Sequence, residues 1–430
     1  TESRAALSPL GGEFPLLGDV PGHQKSPNVA LGQSGGFVVW QNMPSNGKYE
    51  QVMIQRLGPD MTGVGISSRL SQSNSQGNEL NPRVTILSDG GAAAVWESGA
   101  RADTDVLIRV FNSAGSFVTG ALPVNTYTAG NQQNADVAVL TNGNVVVVWS
   151  SEGQDGDGSG IYGQLFTSGG ARIGGEFPVN GTTSMNQSDP AVAAISDGRF
   201  AVAWVSETAN GRTSAGAPNL RGNIMGRIFG ATGSATGGEY RLNDGDTLAS
   251  TPVLVSGVDG GFLAAWTQRD EENTRNLNDV YLRTFTSSGV SAGSSVKHNT
   301  HLKGSQVSPE MVQLGGDALV AWTSYGQDAS GAGIQGRLAS GGTEFQINSQ
   351  GQLHQSSPTV ATDGANKFLA VWVNTIQPSH SILSAQRYVT SDSVLAGVVD
   401  VTAGEVQVVS ADSKSHLTGT ATAAVAPAPA

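Results

Sequence analysis

The sequence contains no cysteine, few charged residues and no long apolar run. The absence of Cys among 430 residues excludes a disulfide framework and any zinc site built from thiolates. Charged side chains make up 13% of the chain and aromatic ones 6%. No apolar run approaches the roughly 18 residues that a membrane-spanning helix needs. We therefore expect no membrane insertion and no cysteine-based metal or redox chemistry.

Positive charge is also scarce, because 23 Lys and Arg stand against 35 Asp and Glu, for a net charge of −12. An acidic surface repels phosphate backbones and anionic lipid headgroups, so we expect no nucleic-acid partner. The chain begins at Thr1 rather than Met, which we interpret as a processed or trimmed N-terminus.

Glycine, by contrast, is abundant at 58 residues, and seven tryptophans recur with gaps of 50 to 62 residues. Each tryptophan ends a similar apolar run, such as GGFVVW, NVVVVW or KFLAVW. The seven are Trp40, Trp96, Trp149, Trp204, Trp266, Trp322 and Trp372. A repeated local context at near-regular spacing indicates an internal repeat rather than a set of unrelated segments.

Each tryptophan strand has the same neighbours along the chain. A short apolar strand precedes it and opens with proline at Pro27, Pro82, Pro190, Pro252, Pro309 and Pro358; in the third repeat we assign Asp136 to that position. A third strand follows, with Gln or Arg always at its fourth position: Gln55, Arg109, Gln164, Arg227, Arg283, Arg337 and Gln386. Several repeats then add a fourth strand, such as GGEFPVN over 174–180. We expect the tryptophans to pack between units and the Gln/Arg position to tie adjacent units together.

Four strands in units of about 50–60 residues, repeated seven times, predict an all-β fold, a seven-bladed β-propeller over residues 1–390. The last repeat lacks a fourth strand, whereas GGEFPLL (11–17) precedes the first repeat. We therefore expect this N-terminal strand to complete the last blade and close the ring. Residues 391–430 form a predicted C-terminal extension, with a hairpin over 398–409 and then an Ala/Pro-rich linker.

The loop after the third tryptophan is a candidate calcium site. It places Asp155, Asp157 and Ser159 at alternate positions between glycines, and such oxygen ligands wrap around Ca²⁺. The equivalent loop of the sixth repeat keeps the length but lacks two of these ligands, which favours a plain Gly/Asp turn over a calcium site. Calcium is the one candidate cofactor, and no cofactor is required by the sequence.

Three histidines and two arginines are candidate ligand-binding residues. His23, His301 and His354 precede the first, sixth and seventh repeats, which are neighbours in the predicted ring. Their loops would lie near the axis, so we expect the three histidines to line one sector of the channel mouth. They would form a metal or ligand site there, or ordinary polar surface. Arg212 and Arg221 lie in a long loop of the fourth repeat, and such loops often carry recognition.

No catalytic motif occurs in the sequence context that its chemistry requires. H-E-x-x-H and the P-loop are absent, the spacings G-x-S-x-G and G-x-G-x-x-G occur only within the glycine-rich turns and strands of the repeats, and the carboxylates are scattered through turns. We therefore expect that the protein is not an enzyme.

The units VVVVWSSEGQDGDGSGIYGQLF and ALVAWTSYGQDASGAGIQGRL resemble propeller-type repeats of large bacterial extracellular proteins, which accompany haemolysin-type calcium-binding and adhesion modules. The resemblance covers about residues 11–390. It implies an extracellular or cell-surface binding or scaffold module whose partner is a surface protein or a polysaccharide. A glycan-binding lectin is the first alternative, and a carbohydrate-active enzyme is the second. The pattern indicates no particular oligomeric state.

Overall fold

A computed structural model describes residues 7–390 apart from 19, 46, 72–76, 101, 213–217, 258, 272–276, 329–330, 350 and 352. Within this part the chain is built from short strands, and its one helical element is a 3₁₀ turn at Ser196–Gly198. No helix of the described segments is long and apolar enough to cross a membrane. The predicted hairpin and linker over 391–430 lie outside the described residues.

The strands follow one order in every repeat, after two short N-terminal strands, β1 (Leu7–Pro9) and β2 (Phe14–Pro15). The first four repeats contain β3 (His23–Gly32), β4 (Gly35–Met43), β5 (Gln51–Leu57) and β6 (Gly63–Arg69); β7 (Asn78–Ile86), β8 (Ala92–Ala100), β9 (Asp103–Phe111) and β10 (Leu122–Pro123); β11 (Gln132–Val139), β12 (Val145–Glu152), β13 (Ser159–Phe166) and β14 (Arg172–Pro178); and β15 (Gln187–Ala194), β16 (Phe200–Arg212), β17 (Pro218–Phe229) and β18 (Tyr240–Arg241). The last three contain β19 (Ala249–Ser256), β20 (Phe262–Arg269), β21 (Asn278–Phe285) and β22 (Val296–Lys297); β23 (Gln306–Leu314), β24 (Asp317–Tyr325), β25 (Ala332–Leu338) and β26 (Phe345–Gln346); and β27 (His354–Thr362), β28 (Lys367–Gln377) and β29 (His380–Thr390).

The repeats fold as antiparallel sheets, in the architecture of a β-propeller. Repeats two to six each form a separate four-stranded sheet. The first and last repeats share one nine-stranded sheet, because the residue pair His23–Ser381 joins β3 to β29 in parallel. In that sheet β1 and β2 pair with β29, the last strand of the described residues.

Seven buried apolar clusters hold the sheets together, and each cluster contains residues from two successive repeats. Trp149 of the third repeat shares one cluster with Val95 of the second. The cluster that contains Leu16, Trp40 and Val371 joins the last repeat to the first. All seven tryptophans are at most 1% exposed, so their predicted role in packing is confirmed and none offers a surface to a sugar.

The Gln/Arg position of the third strand ties neighbouring repeats together, as the sequence predicts, in the four repeats that have Arg there, whereas Gln55 and Gln164 donate to carbonyls of their own repeats. Its four arginines each donate from Nη1 to the carbonyl of the residue just after the preceding repeat's fourth strand, at 2.6–3.1 Å. Each also donates from Nε to a carbonyl of its own repeat. In the last repeat Gln386 donates to the carbonyl of Gly11 (3.1 Å), so the N-terminal segment is bonded through the same position.

The GGEF-type segments make a second contact between repeats through their glutamates. Glu239 accepts from the N–H and the hydroxyl of Thr182, which follows the preceding repeat (3.2 and 2.8 Å). In the N-terminal segment Glu13 accepts in the same way from Ser349 (2.9 and 3.0 Å). The segment 11–15 therefore makes the contacts that a fourth strand makes elsewhere in the fold.

Truncating Leu16 to Ala is expected to lower the free energy of unfolding by about 2–5 kcal/mol, because this buried side chain packs against the last repeat and its removal leaves a cavity. Leu10→Ala is the matched control in the same segment. Leu10 is 42% exposed, so its truncation should cost less than about 0.5 kcal/mol. Urea unfolding followed by tryptophan fluorescence measures both variants, and equally small effects would contradict this packing.

Candidate functional site at the propeller axis

Seven equivalent bulges on the first strands of the repeats surround one cavity. In each repeat the pairing between first and second strands shifts register at a non-glycine residue whose φ lies between 45° and 55°. These residues are Ser26, Asn81, Asn134, Asp189, Thr251, Ser308 and Ser357. A left-handed conformation is costly for Ser and Thr and is tolerated by Asn and Asp, and a bulge turns the side chains next to it in a new direction. The recurrent bulge therefore controls which side chains reach the axis.

The bulge also corrects the sequence alignment of the third repeat. Proline follows the left-handed residue in six repeats, but Ala135 follows Asn134 in the third. The prediction that Asp136 occupies the proline position is therefore wrong by one residue. The register of β11 makes Asp136 equivalent to Arg83 and Glu310, which follow the prolines of their own repeats.

The axial cavity has a volume of about 280 Å³ and is lined by residues of all seven repeats. Its wall includes the seven left-handed residues and the six prolines, and its charged side chains are Arg83, Asp136, Asp189 and Glu310. This volume lies near the lower end of the range for small-molecule sites, about 300 Å³. A cavity with a few convergent charged groups is the strongest candidate site in the described part of the chain.

An ion pair crosses the cavity between two repeats that are not neighbours. Arg83 of the second repeat donates from Nη1 to Oε1 of Glu310 of the sixth repeat at 3.2 Å. Asp136 interacts electrostatically with both of these groups, and its Oδ2 accepts from the N–H of Val192 in the next repeat (2.8 Å). The fold thus brings a cation and two carboxyls together from three separate parts of the sequence.

Burial raises the pKa of Asp136, Glu310 and Asp189, because desolvation penalises the ionised carboxylate. The charge of Arg83 offsets this effect only in part for Asp136 and Glu310. Desolvation acts to lower the pKa of Arg83, but the negative charges of Glu310 and Asp136 outweigh it and the pKa rises. Carboxyls perturbed in this way, inside a cavity, are typical of groups that exchange protons with a ligand.

A second layer of hydrogen bonds supports the acidic side of the cavity. Glu97 is 4% exposed and accepts from Asn81 Nδ2 (3.0 Å) and from the N–H of Asn134 (2.7 Å). Asn134 Nδ2 in turn donates to Asp189 Oδ1 at 2.6 Å. Burial raises the pKa of Glu97 as well. These bonds hold the bulges of the second, third and fourth repeats in fixed positions.

The three predicted histidines lie outside the axial cavity. His23 Nδ1 is 2.7 Å from Ser381 Oγ, and burial lowers the pKa of this imidazole. The His354 ring lies 5.7 Å from the ring of Tyr325, and His301 Nε2 is buried with no hydrogen-bond partner in the described structure. No hydrogen bond or ring contact of the described residues joins any two of the three histidines. Their ligand-binding role stays a prediction.

Asp155 and Asp157 shape their own turn. Asp155 Oδ1 accepts from the N–H of Asp157 (3.3 Å), and Asp157 Oδ2 accepts from the N–H of Met185 (3.1 Å). The N–H of Ser159 donates to Asn186 Oδ1 (3.2 Å). Across the described residues, no group of three or more His, Cys, Asp or Glu side chains is arranged to hold a metal ion. Calcium binding by Asp155, Asp157 and Ser159 stays a prediction.

The two predicted arginines lie between the fourth and fifth repeats. Arg221 forms an ion pair with Glu271 of the fifth repeat and lines a surface groove of about 340 Å³ beside Leu220 and Leu248. Arg212 lies in β16, and its side chain is outside the described part of the structure. Arg221 thus links two repeats, and the recognition role of both arginines stays a prediction.

Sequence reasoning missed Arg83, Asp189 and Glu310. The available signal was the residue after each recurrent proline, where a charge occurs in only two of six repeats: Asn28, Arg83, Ala191, Val253, Glu310 and Thr359. At this position Arg83, Val253 and Glu310 line the cavity, and a charged side chain is costly to desolvate there without a purpose. The aligned repeats therefore contained the site, although no contiguous motif did.

No protein-family model matches the chain, and no curated protein matches it in sequence. Among solved structures, an ulvan lyase, which is a polysaccharide lyase, is similar at a TM-score of 0.53 and 9% identity, over 86% of this chain and 95% of the lyase chain. A protein of unknown function from Dyadobacter fermentans DSM 18053 gives 0.50 at 11% identity, over 89% and 99%. An α-L-arabinanase of Penicillium chrysogenum complexed with arabinobiose gives 0.49 at 12% identity, over 89% and 98%. At these identities the likeness establishes the β-propeller fold.

Two expectations change with these comparisons. The expectation that the protein is not an enzyme is wrong, and the finding that overturns it is the likeness to a polysaccharide lyase. A propeller gathers functional groups from separate repeats, so a missing contiguous motif says little about catalysis. The resemblance to haemolysin-associated repeats is supported only as far as the β-propeller fold, because no family model or curated protein matches the chain.

His298, beside the predicted His301, is a structural residue. It is 3% exposed, its ring lies edge-on to that of Trp322 with centroids 5.9 Å apart, and its carbonyl accepts from Arg337 (2.6 Å). Burial lowers the pKa of His298 to about 4. The folded protein therefore keeps this imidazole neutral under conditions in which the unfolded chain protonates it.

This difference predicts that His298 makes the protein less stable as the pH falls from about 6.5 to about 4, because only the unfolded state takes up the proton there. The loss should be on the order of 3 kcal/mol across that window. His298→Phe, which retains an aromatic ring against Trp322, should lose this component of the pH dependence. Urea unfolding of both proteins at several pH values measures it, and parallel stability curves would show that His298 does not titrate in this way.

Proposed function

We propose that this protein is a carbohydrate-active enzyme that binds a glycan in the axial cavity and acts on it by acid–base chemistry. The observation that carries the proposal is the set Arg83, Asp136 and Glu310, which three separate repeats bring to one cavity. Cleavage of a glycosidic bond needs one group that donates a proton and one that accepts a proton. Two carboxyls in different surroundings meet that need.

The surroundings of the two carboxyls assign their roles. Glu310, the carboxyl that forms an ion pair with Arg83, is proposed as the base. Asp136, which makes no ion pair in the described structure, is proposed as the acid, and burial raises the pKa of both carboxyls. The base removes a proton from an attacking water or from the sugar ring, and the acid delivers one to the leaving oxygen. The same pair therefore serves either hydrolysis or elimination.

The scaffold of this site is proposed to be a ring of seven blades that the N-terminal segment closes. Support comes from the seven interrepeat clusters, of which one joins the last repeat to the first through Leu16. The bonds from Gln386 to Gly11 and from Ser349 to Glu13 add to it. Closure matters for the site because the cavity wall has a member from every repeat.

A polysaccharide is the proposed partner, and an extracellular location remains part of the proposal. The similar ulvan lyase has been solved bound to -[GlcA(1-4)Rha3S]-, which supports a glycan as the class of ligand for this fold. A cysteine-free, acidic composition is compatible with secretion. These observations favour a glycan-directed function over the binding or scaffold module that the sequence suggests first.

Glu310→Gln and Asp136→Asn are each expected to lower the rate of glycan cleavage by about 10²-fold or more, because each removes one proton-transfer group and keeps the side-chain volume. The assay follows new reducing ends, and the absorbance of unsaturated products, over a panel of polysaccharides. Asp103→Asn is the matched control, since Asp103 is an exposed carboxylate at the start of β9. Full activity in either cavity variant, with cleavage by the parent protein established, would contradict the proposal.

A further inference from the structure

In four repeats, the residue just after the tryptophan holds the bulge of the next repeat. Its side chain accepts a hydrogen bond from the N–H of the left-handed residue there, at 2.7–3.3 Å. The four pairs are Gln41 with Asn81, Glu97 with Asn134, Thr267 with Ser308 and Thr323 with Ser357. The four acceptors are at most 6% exposed, and none of them is among the described residues that line the cavity. They therefore fix the bulges without presenting a group to the cavity.

Two of the four acceptors also contact the bulge of their own repeat. Glu97 Oε1, which accepts from the N–H of Asn134, accepts from Asn81 Nδ2 as well, at 3.0 Å. The hydroxyl of Thr267 forms a hydrogen bond with the hydroxyl of Thr251, with the two oxygens 2.8 Å apart. Each of these side chains therefore joins the bulges of two successive repeats.

The bulges that Glu97 and Thr267 hold lie directly before the groups of the proposed reaction. Arg83, Asp136 and Glu310 each lie two positions after a left-handed residue. A bulge determines the direction of the side chains next to it, so a movement of the bulge displaces these groups. Glu97 is connected in this way to Arg83 and Asp136, and Thr267 is connected to Glu310.

We propose that Glu97 and Thr267 are positioning residues of the proposed reaction. Their hydrogen bonds hold the cation and the two carboxyls of the cavity in the arrangement that proton transfer requires, and neither side chain touches the ligand. Proton transfer needs each group within hydrogen-bond reach of the reacting atom, and a misplacement of about 1 Å can lower a rate by about 10²-fold. The inference rests on the proposed function and adds two residues that act through the backbone.

Glu97→Leu and Thr267→Val remove the acceptor oxygen and keep a similar side-chain volume. Each is expected to lower kcat for glycan cleavage by about tenfold or more and to change KM by less than about twofold, because the cavity still admits the ligand while the proton-transfer groups are displaced. Glu97→Gln and Thr267→Ser keep an acceptor oxygen, and Gln41 shows that an amide can accept from a bulge. These two variants should restore kcat to within about threefold of the parent value.

Thr323→Val is the matched control. Thr323 makes the same bond to a bulge at Ser357, but the residue two positions further on is Thr359, which has no part in the proposed proton transfer. This variant should lower the melting temperature about as much as Thr267→Val and leave kcat unchanged. Circular dichroism melts of all variants measure folding. Thr267→Val exchanges a hydroxyl for a methyl group, so it decides the question even if Glu97→Leu does not fold.

An unchanged kcat in Thr267→Val, an equal loss of kcat in Thr323→Val, or no recovery in Glu97→Gln and Thr267→Ser would overturn the positioning roles. The proposed function is decided separately. Loss of cleavage in Glu310→Gln together with an unchanged kcat in Thr267→Val would leave the enzyme proposal standing and the positioning roles wrong. Absence of cleavage by the parent protein over the panel of polysaccharides would overturn the proposed function and this inference with it.

Discussion

Burial of every sheet on both faces is the constraint on which the rest of this structure depends. No repeat can bury its tryptophan strand alone, so each apolar cluster is shared by two neighbours. Arginines of the third strands and glutamates of the GGEF-type segments then satisfy backbone groups at the same junctions. Because the junctions determine the spacing of the repeats, they also determine how closely the seven first strands approach the axis.

The axial cavity follows from that spacing. A left-handed residue in each first strand costs free energy, and it turns the next side chains inward only because both neighbouring repeats hold the strand in place. Most of the inward positions carry uncharged side chains. Arg83, Asp136, Asp189 and Glu310 are the exceptions, and partial desolvation in the cavity raises the pKa of the three carboxyls.

The features that recur in every repeat could be predicted from the sequence. The burial of Trp149 and its six equivalents and the contacts of Arg227 and its equivalents follow from one pattern that occurs seven times. The site could not be predicted in this way, because it depends on departures from the pattern. Arg83 and Glu310 are 227 residues apart, and only the propeller fold brings their side chains within 3.2 Å. The sequence pattern aligns Asp136 with the prolines of the other repeats, one residue too far along the chain. The third repeat has no proline after Asn134, so no local sequence signal marks the bulge there.

The most direct test of the account is a crystal structure of the protein with a bound oligosaccharide that it cleaves, determined on Glu310→Gln so that the ligand persists. The account predicts sugar in the axial cavity, within hydrogen-bond distance of Arg83 and Asp136, in a wall formed by all seven repeats. Sugar bound elsewhere on the surface, with the axial cavity free of it, would contradict the assignment of the site.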